Sequence, residues 1–134
     1  MPNNTGSVLG TWRAITATAR DGQGNKLPNP YSDKLDGRLI LTADGIMMSV
    51  LCDHTDNLAP GATRFYSSYC GRYTVTGDRL VTKVYAASDP SRVGGEQPRG
   101  VRFEGDTMVL MPPPGKVGGV MQHREIYWTR VSPI

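Results

Sequence analysis

Few side chains in this sequence have an ordinary pKa that suits proton transfer near neutral pH. The histidines are His54 and His123, and imidazole is the group that most readily gives and accepts protons there. Tyr69 adds an apolar ring with a hydroxyl that can orient a carbonyl, and Glu96 follows two glycines in a predicted loop. We take Tyr69, His123 and Glu96 as the candidate catalytic residues. Their structural alternatives are core filling for Tyr69, an exposed strand position for His123 and an ion pair with Arg99 for Glu96.

A metal site is not indicated. His54 stands close to Cys52, Asp53 and Asp56, but the four residues fall on a strand end and a loop, without the ligand spacing of a zinc site. We therefore interpret this cluster as a solvated polar loop and expect no metal.

Cofactor chemistry is not indicated either. The sequence has no Gly-x-Ser-x-Gly elbow, no phosphate-binding glycine loop before a helix and no dinucleotide fingerprint. Neither cysteine has an evident base beside it. An enzyme of this sequence would use acid–base or positional catalysis in a shaped pocket, and we expect no cofactor.

The elements that must position these side chains are β-strands. Residues 37–52 contain two apolar runs around Asp44-Gly45, which is a strong hairpin signal. Alternation places Leu39 and Leu41 on one face of the first strand. On the second strand it favours an inward face of Ile46, Met48, Val50 and Cys52.

Six further segments bring the predicted strands to eight. Strands are predicted at 8–19, 37–42, 46–52, 65–76, 79–85, 99–104, 107–111 and 120–131, with no helix. Residues 20–36 are too rich in Gly and Pro to be regular, and we expect them to cross the mouth of a barrel. The prediction is an all-β, single eight-stranded antiparallel up-and-down β-barrel, which leaves no exposed sheet edge. A sandwich and a five-stranded oligonucleotide-binding barrel are the alternatives.

Closure of this barrel pairs the first strand with the last. Trp12 should then lie beside Trp128 and Arg130, with the guanidinium stacked on the indole at the barrel floor. The more apolar parity of each strand should face the lumen, and arginines at the rim could bind a polar group. The predicted ligand-binding residues are Tyr31, Met48, Val50, Tyr73, Leu80, Arg99, Phe103 and Arg124.

Composition bounds the remaining classes. The chain of 134 residues is 38% hydrophobic and 20% charged, with a net charge of +3. We expect one domain over residues 1–134, with a flexible tail at 1–7. Neither nucleic acid nor membrane is an expected partner, since basic residues do not cluster and no apolar stretch could span a bilayer.

The expected compartment is the cytoplasm. The first residues lack the apolar segment of a signal peptide, so the thiols should be reduced. A register that pairs Cys52 with Cys70 would conflict with the apolar pattern. We therefore predict two free thiols, Cys52 buried and Cys70 more exposed.

Several motifs resemble one family. Gly10-Thr11-Trp12 resembles the Gly-x-Trp signature of lipocalins, and the segments 37–45, 69–75, 93–99 and 125–131 are similar to the small bacterial and fungal lipocalin-like domains. Two features depart from that pattern: Ser91-Arg92 stands where an aromatic residue is expected, and the 53–63 loop is unusually polar.

The resemblance implies a barrel that binds a small hydrophobic or partly polar metabolite. Related barrels of natural-product biosynthesis bind hydrophobic intermediates, and some catalyse cyclisation or isomerisation. We therefore expect a metabolite-binding barrel, with cofactor-independent cyclase or isomerase activity as the leading hypothesis. A non-catalytic carrier or sensor is the rival, and a filled structural barrel is the third option. We also allow for a homodimer.

Overall fold

Almost every segment with an alternating or β-branched pattern forms a strand in the computed structural model, which describes residues 8–132. A single turn of 3-10 helix, Pro90–Arg92, lies between two of them. The predicted tail at 1–7 lies outside the described residues. The strands are β1 Gly10–Arg20, β2 Lys26–Leu27, β3 Leu35–Leu41, β4 Ile46–Asp53, β5 Tyr66–Thr76, β6 Arg79–Ala87, β7 Glu96–Glu104, β8 Thr107–Met111, β9 Gly115–Val117 and β10 Val120–Ser132.

Eight of these strands form a closed barrel. Each strand in the order β1, β3, β4, β5, β6, β7, β8, β10 pairs antiparallel with the next, and β10 pairs back to β1. The short strand β2 pairs antiparallel with the end of β1, and the short strand β9 pairs antiparallel with the beginning of β10. The predicted eight-stranded antiparallel barrel is therefore confirmed, and closure leaves its long strands without a free edge.

The β3–β4 hairpin turns at the predicted Asp44-Gly45. Gly45 has φ 93°, a conformation that glycine adopts without the steric cost of a Cβ. The hydroxyl of Thr42 donates to the Asp44 carboxylate at 2.5 Å and accepts from the backbone N–H of Ile46 at 2.9 Å. These local bonds explain why the turn was readable from the sequence.

The predicted inner face of β4 is wrong. Met48 and Val50 are 51% and 39% exposed, whereas Met47 is 1% exposed. Directly opposite residues in an antiparallel pair share a face, and Leu39 of β3 lies opposite Ser49. Because Leu39 is fully buried, Ser49 and its odd-numbered neighbours must also point inward. Apolar residues at both parities of β4 made the pattern ambiguous.

This change of face also alters the cysteines. Cys52 lies opposite Tyr66, and Cys70 lies opposite Met48, so both thiols are on the outer face in a register that does not join them. Both cysteines are free, as predicted, and both are half-buried. The prediction that Cys52 is buried is therefore wrong, for the same reason as the placement of Met48.

Trp12 and Arg130 close the barrel at one end, as predicted. Gly10, with φ 126°, bends the chain just before Trp12. Trp12 pairs with Arg130 across β1 and β10, and the guanidinium lies 4.1 Å from the ring centroid. The indole N–H donates to the carbonyl of Val8 at 2.9 Å. Trp12 and Trp128 are both buried and belong to the same hydrophobic core cluster.

Candidate functional site

A cavity of about 400 Å³ occupies the barrel toward the end away from the Trp12–Arg130 contact. Its size is within the usual range of small-molecule sites. The inner faces of β3, β4, β8 and β10 provide its apolar floor, which consists of Leu39, Met47, Leu51, Leu110, Ile126 and Trp128.

Three arginines line the mouth of this cavity. Arg99 and Arg124 belong to the inward parity of β7 and β10, and Arg92 ends the 3-10 helix. The Asp89 side chain caps that helix by accepting from the backbone N–H of Ser91 at 3.0 Å. This cap and the proline at the first helical position fix the turn that carries Arg92.

Gln97 joins two of the arginines. Its side-chain oxygen accepts from Arg92 at 2.8 Å and from Arg99 at 2.9 Å. Arg92 also donates to the hydroxyl of Ser67 at 3.2 Å, and its guanidinium lies 4.4 Å from the ring centroid of Tyr69. The cation is therefore held over an aromatic face within the cavity wall.

The arginines influence one another. Burial and the positive charges of Arg92 and Arg124 lower the pKa of Arg99 from its usual value. A guanidinium remains protonated at neutral pH in spite of such a shift. Among the described residues that line the cavity, none is an aspartate or a glutamate. The mouth is thus a region of positive charge.

An aromatic pair lines the rest of the rim, and a buried aspartate holds the chain segments beside it. The ring centroids of Tyr31 and Phe65 are 4.8 Å apart. This contact packs the chain segment between β1 and β3 against the β4–β5 loop. Asp53 is buried and accepts from the hydroxyls of Ser32 at 2.6 Å and Thr55 at 2.5 Å. These bonds lower the pKa of Asp53 to about 2. The same two connections are thereby tied together at a second point.

The barrel, its internal cavity and the Trp12–Arg130 floor agree with the comparison of this sequence with known families. The sequence profile of the lipocalin-like domain matches residues 9–131. The chain belongs to the lipocalin-like domain family. No curated protein matches it. Membership of this family, together with the cavity, indicates binding of a small molecule.

Four of the predicted site residues line the cavity of this lipocalin-like domain: Tyr31, Tyr69, Arg99 and Arg124. Three others face inward below it and form the core. Tyr73 is buried and donates its hydroxyl to the carbonyl of Thr42 at 2.6 Å. Leu80 is fully buried, and Phe103 packs against the same cluster.

The other predicted site residues lie outside the lumen. Glu96 is exposed on the outer face of β7 opposite Lys83 and forms no ion pair with Arg99 within residues 8–132. His123 is exposed and lines a more open recess on the far side of Arg124. The placement of Met48 and Val50 in the lumen is wrong, since both line a groove on the outer face.

Sequence reasoning did not name most of the other residues that line the cavity, among them Arg92, Gln97 and Phe65. The inward parity of Arg99 on β7 could have identified Gln97, which is two residues away. Nothing in the local pattern indicated that the loop residue Arg92 turns back into the barrel. Asp53, predicted to be part of a solvated loop, is instead buried at the end of β4.

Within residues 8–132 of the lipocalin-like domain, no three His, Cys, Asp or Glu side chains are placed to hold a metal ion. His54 and Asp36 are 3.9 Å apart on the surface. No helix in the described part of the chain is long and apolar enough to cross a membrane.

Proposed function

We propose that this lipocalin-like barrel binds one small, mainly apolar metabolite in its internal cavity and serves as its carrier or sensor. The observation that supports this is the cavity itself. Its floor is made of buried apolar side chains, and its polar groups are grouped at the mouth. Such a site removes the apolar part of a ligand from water and orients its polar end.

The proposal is tested with Nile red, a neutral dye that fluoresces when it enters an apolar site. Ser49 is buried, points inward and lines the cavity, so Ser49→Phe should fill part of the lumen. Thr74 is exposed on the outer face of β5, so Thr74→Phe is the matched control. We expect dye binding to be weakened about ten-fold or more by Ser49→Phe and to be unchanged by Thr74→Phe.

Thermal unfolding shows whether each variant is folded before its binding is interpreted. If Ser49→Phe does not fold, Ser67→Phe at the half-buried mouth takes its place. Equal dye affinity in a folded lumen-filling variant and in the control would contradict an internal site.

A cofactor-independent isomerase or cyclase is the second candidate function, and it depends on Tyr69. This tyrosine lines the cavity beneath the guanidinium of Arg92. A phenol and a cation in one pocket can polarise a carbonyl or an enol. His123 and Glu96 could assist only from the outer surface, so Tyr69 carries this candidate alone.

Exchange of α-protons separates the two candidates. Enolisable ketones of the size of the cavity are incubated with the protein in deuterated buffer, and exchange is followed by NMR. Catalysis predicts exchange above the buffer rate that is lost in Tyr69→Phe while the thermal midpoint is retained. Stoichiometric binding without exchange would support the carrier.

A further inference from the structure

We infer that the ligand of this cavity is an amphipathic organic anion, whose charged head group is bound by Arg92, Arg99 and Arg124 and whose apolar body lies on the apolar floor of the cavity. This inference rests on the proposed function and names the class of ligand. Its basis is the charge and the unused hydrogen-bonding capacity of the three arginines.

The first argument is the uncompensated charge. The hydrogen-bond partners of these arginines are neutral: Ser67, Gln97, the carbonyl of Pro98 and the hydroxyl of Tyr31. None of the ion pairs formed within residues 8–132 involves them. Cations that are partly removed from water without a counterion destabilise a protein. A bound anion would remove this cost.

The second argument is the number of free donors. A guanidinium has five N–H donors and no acceptor. In Arg124, the Nε is buried without a partner among the described residues, and one terminal nitrogen makes a long contact of 3.4 Å with Tyr31. Gln97 offers a single oxygen, which two arginines share. The mouth therefore has more donors than acceptors, which suits a ligand that carries acceptor oxygens.

The third argument is the arrangement of polar and apolar surface. The planar fork of an arginine matches the two oxygens of a carboxylate or related oxyanion. The arginines lie at the mouth, and Leu39, Met47 and Trp128 lie below them. A molecule with a charged head and an apolar tail fits this polarity in one orientation only. A neutral apolar ligand would leave all three cations unpaired.

Isothermal titration calorimetry with three probes tests the inference. Decanoate carries both the head group and the tail, decanol has the same tail without the charge, and acetate is a head group alone. We expect decanoate to bind about ten-fold or more tightly than decanol, and acetate to bind more weakly than decanoate by at least the same factor.

Two arginine variants and a matched control assign the effect to the site. Arg99→Gln and Arg124→Gln should each reduce decanoate affinity about ten-fold and leave decanol affinity unchanged. Arg13 is exposed on the outer face of β1, so Arg13→Gln removes the same charge away from the cavity and should change neither affinity. In the absence of ligand, Arg99→Gln and Arg124→Gln should also keep or raise the thermal midpoint, because each substitution relieves repulsion between cations.

The outcomes are distinguishable. Equal affinity for decanoate and decanol would overturn the anionic ligand and leave an internal apolar site. The anionic ligand would also be overturned if Arg13→Gln reduced the affinity for decanoate as much as the cavity variants do. It would be overturned as well if Arg99→Gln and Arg124→Gln lowered the thermal midpoint without changing the affinity for decanoate. If none of the three probes binds and Nile red does not bind either, the proposed function is overturned as well.

Discussion

The guanidinium of Arg130 lies 4.1 Å from the centroid of the Trp12 ring, on the strand pair that closes the barrel. Arg130 also donates to the backbone carbonyl of Leu9. The cation therefore covers the indole and holds the chain just before β1 at the same time. This contact joins the first and last long strands at the closed end of the barrel.

Truncation of Trp12 should therefore be costly. Trp12→Ala should lower the free energy of unfolding by about 3–5 kcal/mol, since a buried large aromatic side chain is deleted. Arg130→Met retains an apolar stem, and its cost should be about 1–2 kcal/mol for the lost stacking and hydrogen bond. Urea unfolding monitored by far-UV circular dichroism measures both. A loss below about 1 kcal/mol in Trp12→Ala would contradict a core role for this side chain.

Neighbouring methionines test the faces of β4. Met47 is 1% exposed and Met48 is 51% exposed. Met47→Lys places an unpaired charge in the core and should cost about 3 kcal/mol or more, whereas Met48→Lys should change stability by less than about 0.5 kcal/mol. Chemical denaturation measures the free energy of unfolding of both variants and so shows which face of β4 points inward. The reverse order would restore the inward face that alternation alone suggested.

The two thiols should react in the folded protein. Cys52 and Cys70 are half-buried on the outer face and form no disulfide. We expect a thiol reagent such as 5,5′-dithiobis(2-nitrobenzoate) to titrate both in the native, unreduced protein, and the same number after unfolding. Cys52→Ser and Cys70→Ser should each lose one reactive thiol, which assigns the reaction to the two cysteines. Reaction of Cys52 only in denaturant would contradict its outward position, and the absence of reactive thiols in denaturant would contradict two free cysteines.

Acid should loosen the contact between the β1–β3 connection and the β4–β5 loop through Asp53. The hydroxyls of Ser32 and Thr55 stabilise its ionised form and lower its pKa from 3.8 to about 2. A carboxyl with a lowered folded-state pKa stabilises the fold above its ordinary pKa, and this contribution is lost as the pH falls through the folded value. The thermal midpoint of the wild type should therefore fall between pH 3.8 and about 2.

Asp53→Asn should lack that part of the pH dependence and be less stable at neutral pH. The control is Asp106→Asn, in the exposed β7–β8 turn, which should retain the wild-type profile. Parallel curves of thermal midpoint against pH for wild type and Asp53→Asn would show that the ionised carboxylate does not stabilise the fold.

Much of the architecture was accessible from local patterns. The Asp44-Gly45 turn and the end of the predicted strand 107–111, which three prolines follow, depend on backbone preferences of a few adjacent residues, so the sequence alone predicts them. Strand existence follows from alternation and β-branched content. The Trp12–Arg130 contact followed because closure of an up-and-down barrel leaves one partner for the first strand.

The site was predicted only in part. Tyr31, Tyr69, Arg99 and Arg124 were named from aromatic content, strand parity and position near the rim, and all four line the cavity. His123 could not be distinguished from Arg124 in advance, because adjacent strand residues face opposite sides and the register to β1 decides which points inward.

The sequence by itself determined the eight long strands and the hairpin turn at Asp44-Gly45, because these depend on residues that are near one another in the chain. Closure of the barrel was then predicted as the arrangement that leaves no strand with a free edge. Only the tertiary structure decided which face of β4 is inside and where the positive charge collects. Ser49 points inward because its opposite neighbour Leu39 is buried. Arg92, Arg99 and Arg124 meet because barrel closure brings a 3-10 turn, β7 and β10 to one mouth. Such long-range pairing leaves no signal in the local pattern of any one segment.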